Sequence, residues 1–164
     1  MRIRPARQDD ERALARIVRA AWTPESSVFP RPAADAPFFR APVVPENVLV
    51  ALAADEPIGL IKLVPMATAQ PGLGAAAAHV QQIYGLSVVP EHQGRRAGTE
   101  LLGAARAEAV ARGARRITLR VLGGNPRAQR LYERLGYRVE GVEREQFLLG
   151  GTYVDDVLLA LDLT

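Results

Sequence analysis

Two short segments of this chain hold residues whose types and spacing can do chemistry. The first runs Val88-Val89-Pro90-Glu91-His92-Gln93-Gly94-Arg95-Arg96-Ala97-Gly98-Thr99-Glu100-Leu101-Leu102. An aliphatic stretch stops at Pro90, the chain turns through Gly94 and Gly98, and a helical pattern begins. Such a turn aims free backbone N–H groups and the positive end of a helix dipole at one point, where an anion can bind. The dipole contributes only about 0.3–1 kcal/mol, so the converging hydrogen bonds must carry most of the affinity. Gly94 and Gly98 let the backbone come close because no Cβ intervenes. A diphosphate fits such a nest. The plainer reading is that the two glycines only shape a strand-to-helix turn. No Gly-Lys-Ser/Thr follows, and G-x-G-x-x-G is absent, so the loop is neither a P-loop nor a dinucleotide fingerprint.

The second segment is Asn125-Pro126-Arg127-Ala128-Gln129-Arg130-Leu131-Tyr132-Glu133-Arg134-Leu135-Gly136-Tyr137. Asn125 caps a helix, Pro126 occupies its first turn and Gly136 stops it. Ala128 and Tyr132 are one turn apart and share a face. Tyr132 is either a hydrogen-bond donor to developing negative charge or an aromatic packed on that face.

Together the segments resemble the GNAT acetyltransferases. The pyrophosphate loop of that family reads Gln/Arg-x-x-Gly-x-Gly/Ala, which falls here on Gln93, Arg96 and Gly98, with Arg96 where the first glycine stands. Its second pattern, Asn-x-x-Ala-x-x-Leu-Tyr-x-x-x-Gly-Phe/Tyr, is matched at every defined position from Asn125 to Tyr137. The resemblance implies acetyl-CoA as cosubstrate, no metal, and direct attack of an amine on the thioester. It implies that the backbone of Leu86, Ser87 and Val88 pairs with pantetheine and supplies an oxyanion donor. Gln93, Gly94, Arg95, Arg96, Ala97, Gly98 and Thr99 would surround the pyrophosphate, and Asn125, Ala128 and Tyr132 would line the pantetheine arm. Tyr132 would act as general acid towards the departing thiolate.

Many members place a carboxylate base on the strand before the loop, yet His79 to Val89 contains no acid. His79, with a suitable intrinsic pKa, is the candidate base, although a lone histidine at a strand start also serves as a polar edge residue. Gln82 and Tyr84 are the other candidates, acting through water. His92 reads as a solvated turn residue. The final hairpin, Glu145 to Leu159, resembles a branch that acetylates amino acids and peptide or protein N-termini. Tyr153 and Asp155 line an acceptor pocket in that reading, or are core and edge residues in the plainer one.

The elements that must position these residues follow from periodicity. Ile3 marks an opening strand. Asp9 or Asp10 offers an N-cap to a helix with Leu14, Ile17, Val18 and Ala21 on one face. Six prolines between Pro24 and Pro45 predict a loop, and so long a loop points to function, here acceptor binding. A hairpin follows, Asn47–Ala54 and Ile58–Val64 about an Asp55-Glu56-Pro57 turn. Pro71 to Gly74 and the alanines after it read as a flexible connector. Then come a strand Val80–Val89, a helix Thr99–Arg112, a strand Arg116–Leu122, a helix from Pro126, and a hairpin Gln146–Leu149 and Thr152–Leu163 about Gly150-Gly151. The order β–α–ββ–β–α–β–α–ββ predicts an α/β fold, a mixed sheet with helices on its faces. The resemblance implies the GNAT acyl-CoA N-acyltransferase fold, with a mostly antiparallel central sheet of about seven strands and flanking helices.

Length and composition bound the rest. The 164 residues suit one domain, 1–164. No cysteine is present, which excludes disulfides and thiolate chemistry. No apolar run approaches the roughly 18 residues needed to span a bilayer, and the first residues lack a signal-peptide core. A cytoplasmic protein without a membrane partner is expected. The net charge is +3, and eleven arginines fall between Arg95 and Arg138. Without interleaved aromatics or a base-reading motif, a small polyanion explains this bias better than nucleic acid. Partners are therefore acetyl-CoA and an amine acceptor, and the fold is compatible with a homodimer. The competing function is a catalytically silent acyl-CoA-binding sensor or regulatory module.

Overall fold

The computed structural model describes residues 1–164. Its strands are β1 (Arg2–Pro5), β2 (Val48–Ala53), β3 (Glu56–Pro65), β4 (Val80–Val88), β5 (Arg116–Leu122), β6 (Arg138–Leu149) and β7 (Thr152–Asp162). The helices are α1 (Glu11–Ala21), the short α2 (Met66–Ala69), α3 (Ala97–Ala111) and α4 (Pro126–Arg134). They form one seven-stranded sheet in the order β1-β2-β3-β4-β5-β7-β6. Every pairing is antiparallel except β4 with β5. The expected element order and mixed sheet are both found.

The sheet has two apolar faces of unequal size. A cluster of 21 buried residues lies beneath α3 and α4, against 8 beneath α1, so the α3/α4 face carries the main core. Leu101, Leu102, Ala105 and Ala109 recur at helical spacing and turn one side of α3 onto the strands. Leu101 is fully buried, and truncating it to alanine costs about 2–5 kcal/mol. On the other face Leu14 and Ile17 of α1 meet Val48, Val50 and Leu60.

Three expectations need correction. Asp10 precedes α1 but makes no side-chain cap to it. Its carboxylate is drawn back to the Arg4 guanidinium, at 2.8 and 2.9 Å, and to the Arg7 amide at 2.7 Å. A paired charge outcompetes a single capping bond. Residues 66–77 are not a plain connector, because α2 and 3-10 turns over Pro71–Ala77 satisfy much of their backbone. The last hairpin starts eight residues earlier than Gln146, at Arg138. β6 is an edge strand rich in charge, and register shifts after Val139 and Glu143 break its alternation. The proline-rich stretch remains a loop up to a 3-10 turn at Pro45–Asn47.

Candidate active site

The site grows from a defect in β4. Lys62 of β3 faces Gly85, whereas the next residue, Leu63, faces Ile83, so Tyr84 is a bulge residue with no partner. Such a bulge adds twist and turns a strand away from its neighbour. On its other side β4 pairs with β5 only from Val80↔Arg116 to Ile83↔Leu119. β5 itself continues against β7 as far as Leu122↔Asp156. The two parallel strands therefore part after Ile83, and the backbone of Tyr84 to Val88 has no strand beside it on the β5 side. Bare peptide groups at a sheet opening can pair with an extended amide-bearing chain, as pantetheine is.

Beyond β4 the chain enters the glycine loop. The Val89 amide bonds the Ile58 carbonyl, and the His92 and Gln93 amides close turns onto Val89 and Pro90. The amides of Gly94, Arg95 and Arg96 then make no backbone hydrogen bond. Those of Ala97, Gly98 and Thr99 precede the first bond of the helix, from the Glu100 amide to the Arg96 carbonyl. A run of free donors thus surrounds the start of α3, where the helix dipole also favours an anion. Gly94 has φ +76° and Arg96 φ +67°. Arginine accordingly takes the left-handed conformation at the position where the family pattern has glycine. The Gln93 side chain donates to the Val88 carbonyl at 2.9 Å, bracing the loop against the end of β4.

Three parts of the site converge at Gly98. A Cβ built there would lie 3.6 Å from Leu131 Cδ2 and 3.7 Å from Leu86 Cδ2. Loop, open strand and α4 are therefore neighbours. In α4, Asn125 Oδ1 accepts from the Ala128 amide at 3.2 Å, as a cap does, which leaves the Asn125 amide nitrogen free to donate. The turn before it is tied to β7, the Gly123 amide bonding the Asp155 carbonyl at 2.8 Å.

Tyr132 is 7% exposed and packs edge-on against Tyr137, with ring centroids 5.6 Å apart. Desolvation pushes the Tyr132 phenol up to about 12. Burial, reinforced by Tyr132, raises that of Tyr137 as well. The side-chain atoms sealed from solvent without a partner are Gln82 Oε1 and the Tyr137 hydroxyl. The Tyr132 hydroxyl is not among them, so its ring is buried while its oxygen stays reachable.

The sequence candidates are not all brought together. Leu86 to Val88, Gly94 to Thr99 and the Asn125–Tyr132 helix surround one opening. His79 lies elsewhere, exposed, at the closed end where its carbonyl accepts from Arg115 and Arg116. Tyr84, at the bulge, lies five positions further along the strand, roughly 17 Å away. Tyr84 is 45% exposed beside the opening.

Lys62 and Phe38 escaped the sequence reading as site residues. The Lys62 ammonium lies 5.2 Å from the centre of the Phe38 ring, and desolvation lowers its pKa. Phe38 is fixed by its backbone, since the Phe38 and Phe39 amides both donate to the Glu11 carboxylate. A lone charge inside the apolar run Ile58–Val64 was the one available signal.

A cavity of about 450 Å³ lies at the opposite end of α3, lined by Glu46, Asn47, Glu108 and Arg112 among others. The length of α3 puts it roughly 20 Å from the glycine loop. Arg112 there donates to Glu108, Leu63, Gln81 and Glu46, so its guanidinium ties strands to helix. That cavity is a seam of the fold.

Residues 14–137, well over half the chain, match the profile of the Acetyltransferase (GNAT) family, and the chain belongs to that family. Its class of activity is acetyl transfer from acetyl-CoA. The protein smu.2055 of Streptococcus mutans superposes with a TM-score of 0.82 at 22% identity, over 100% of both chains. yncA of Salmonella typhimurium, solved with its cofactor acetyl-CoA, gives 0.80 at 20% identity over 100% of this chain and 94% of its own. The ribosomal-protein-S18-alanine N-acetyltransferase of Escherichia coli gives 0.75 at 18% identity, over 99% and 94%. At such identities these likenesses establish the fold. A comparison with curated proteins finds no match. No helix is long and apolar enough to cross a membrane.

Proposed function

We propose that this chain, as a single cytoplasmic domain spanning 1–164, moves the acetyl group of acetyl-CoA to a primary amine by direct attack on the thioester. The acceptor is a small amine, an amino acid or a peptide N-terminus. The observation that carries this reading is the meeting at Gly98 of the open β4 backbone, the free amides of the glycine loop and the Tyr132 helix.

The amides of Gly94 to Thr99 hold the pyrophosphate, with Arg95 and Arg96 adding charge from the loop surface. The Leu86–Val88 backbone aligns the pantetheine, and Asn125 and Ala128 flank it from α4. One β4 amide donates to the acetyl oxygen as it gains charge, a contribution commonly worth about 2.7–4 kcal/mol. The Tyr132 hydroxyl faces the sulfur. Burial holds its pKa at about 12, above the roughly 8.5 of a thiol in water, so the phenol keeps its proton firmly. Tyr132 therefore works first by hydrogen-bonding the thiolate, and the proton moves last. The remote position of His79 leaves it out of this scheme. The amine instead loses its proton to water beside the exposed Tyr84, since Gln82 Oε1 is sealed from solvent.

Calorimetric titration with CoA, followed by an amine panel with mass detection of acetylated product, tests the reading. Micromolar binding with product formation is expected. No affinity for CoA would end the proposal, and binding without transfer to any amine would replace it with the silent sensor.

A further inference from the structure

Lys62 is the only lysine of the chain, and none of the salt bridges reaches it. It stands on β3 opposite Gly85, beside the bulge that opens the site. Because residue 85 has no side chain, the lysine can lie against the β4 backbone. A Cβ at Gly85 would sit 3.9 Å from Lys62 Cδ and 4.0 Å from Nζ. Phe38 closes over the ammonium from the proline-rich loop. The carboxylate serving that loop, Glu11, is turned onto the Phe38 and Phe39 amides.

Gln82, opposite Val64, is two β3 positions from Lys62 in register and so shares its face. Its Oε1 is enclosed without a donor. This face thus holds a desolvated cation that lies over an aromatic ring and makes no salt bridge. A buried cation without a counterion is costly, and a ligand that brings the missing anion recovers that cost. The cation–π contact favours the charged form that such a ligand needs.

We propose that Lys62 is a specificity-determining residue that binds a carboxylate on the acceptor, so that the preferred acceptors are free amino acids rather than uncharged amines or peptide N-termini. The inference rests on the transferase reading above. Gly85 directly precedes Leu86–Val88, whose amides hold the acetyl group in that reading. Nζ lies 4.0 Å from the Cβ position of Gly85, and Leu86 to Val88 follow it along the strand at about 3.3 Å per residue, so only a short gap separates the ammonium from those amides. An α-amino acid can span that gap, with its nitrogen on the thioester and its carboxylate on Lys62. A bound carboxylate also offsets the desolvation that lowers the Lys62 pKa.

The test compares kcat/KM for an α-amino acid, its α-carboxamide and the amine lacking the carboxyl group, in wild type, Lys62→Met and Lys62→Arg. Wild type is expected to favour the free acid over the carboxamide roughly 10- to 100-fold, mostly through KM. Lys62→Met should erase that preference and Lys62→Arg keep most of it. Thermal melts check folding, and Lys62→Gln takes over should the methionine variant fail to fold. Calorimetric binding of acid and carboxamide to the protein–CoA complex supplies a readout independent of turnover. Acid binding that Lys62→Met abolishes, with no transfer to any amine, would defeat the transferase reading while leaving the Lys62 assignment in place. The assignment is overturned if wild type treats acid and carboxamide alike, or if Lys62→Met weakens both by one factor. The second outcome together with a displaced pH profile would make Lys62 a proton acceptor instead.

Discussion

At the start of α3 the polar groups facing the opening are mostly backbone amides, placed by a strand, a tight loop and helix ends. Beneath α1 the corresponding groups are side chains, Lys62 and Gln82 above all, set against a proline-rich loop that Glu11 ties down. Backbone amides recognise a part that every reaction of the family shares, and they tolerate side-chain drift. Side chains recognise what differs between acceptors, and one replacement can change it. The difference teaches where to look for each property: in the proposed reading, activity is sought on the α3/α4 side and selectivity on the α1 side.

Perturbing the two sides separately can break that division. The largest effect is expected from Tyr132→Phe, which should slow turnover roughly 10- to 1,000-fold for every acceptor alike. A loss that varies from amine to amine would show that Tyr132 also selects, and an unchanged rate would remove it from the mechanism. Alkaline titration probes the same residue. Tyr132 is neutral in both states below its unfolded pKa near 10, and the folded value is about 12. Between those values the unfolded chain sheds the proton first, so stability should fall by up to about 2.7 kcal/mol as pH rises. Chemical denaturation at pH 9 and 11 measures the drop, and Tyr132→Phe should lessen it.

On the α1 side, Asp10→Ala should cost about 2 kcal/mol by stranding Arg4 and the Arg7 amide. The Arg4 hydrogen bonds, helped by the Arg7 amide, hold the Asp10 carboxyl below the usual carboxylate range. Its contribution is therefore present above about pH 4 and fades as pH falls through the lower folded value. Denaturation midpoints at pH 7 and pH 3 should differ less in Asp10→Ala than in wild type. The smallest effect is expected from Arg96→Gly. Relieving a left-handed arginine should raise stability by up to about 1 kcal/mol, while CoA binding weakens with added salt less steeply than in wild type. A destabilised variant would mean that the Arg96 side chain holds the loop.

Local chemistry was legible in the chain. Asn125, Pro126 and Gly136 delimit α4 by capping rules that act within one turn, and the structure sets its helix at Pro126–Arg134. Gly94 likewise announces a turn whose φ only glycine adopts freely, and α3 begins three residues later. The start of β6 was hidden because Val139 and Val142 stand among charges on an edge strand broken by register shifts. The Arg4–Asp10 pair was hidden because an aspartate before a helix looks the same whether it caps that helix or turns back.

What the sequence by itself determined are the features that depend on neighbours a few positions apart: the three long helices, the glycine loop, and the succession of strands along the chain. Only the tertiary structure decided that β4 bulges at Tyr84 and leaves β5, that His79 lies at the closed end, and that Lys62 rests between Gly85 and Phe38. Those outcomes depend on how strands pair and which surfaces meet, and groups far apart in the chain carry no periodic signal of it.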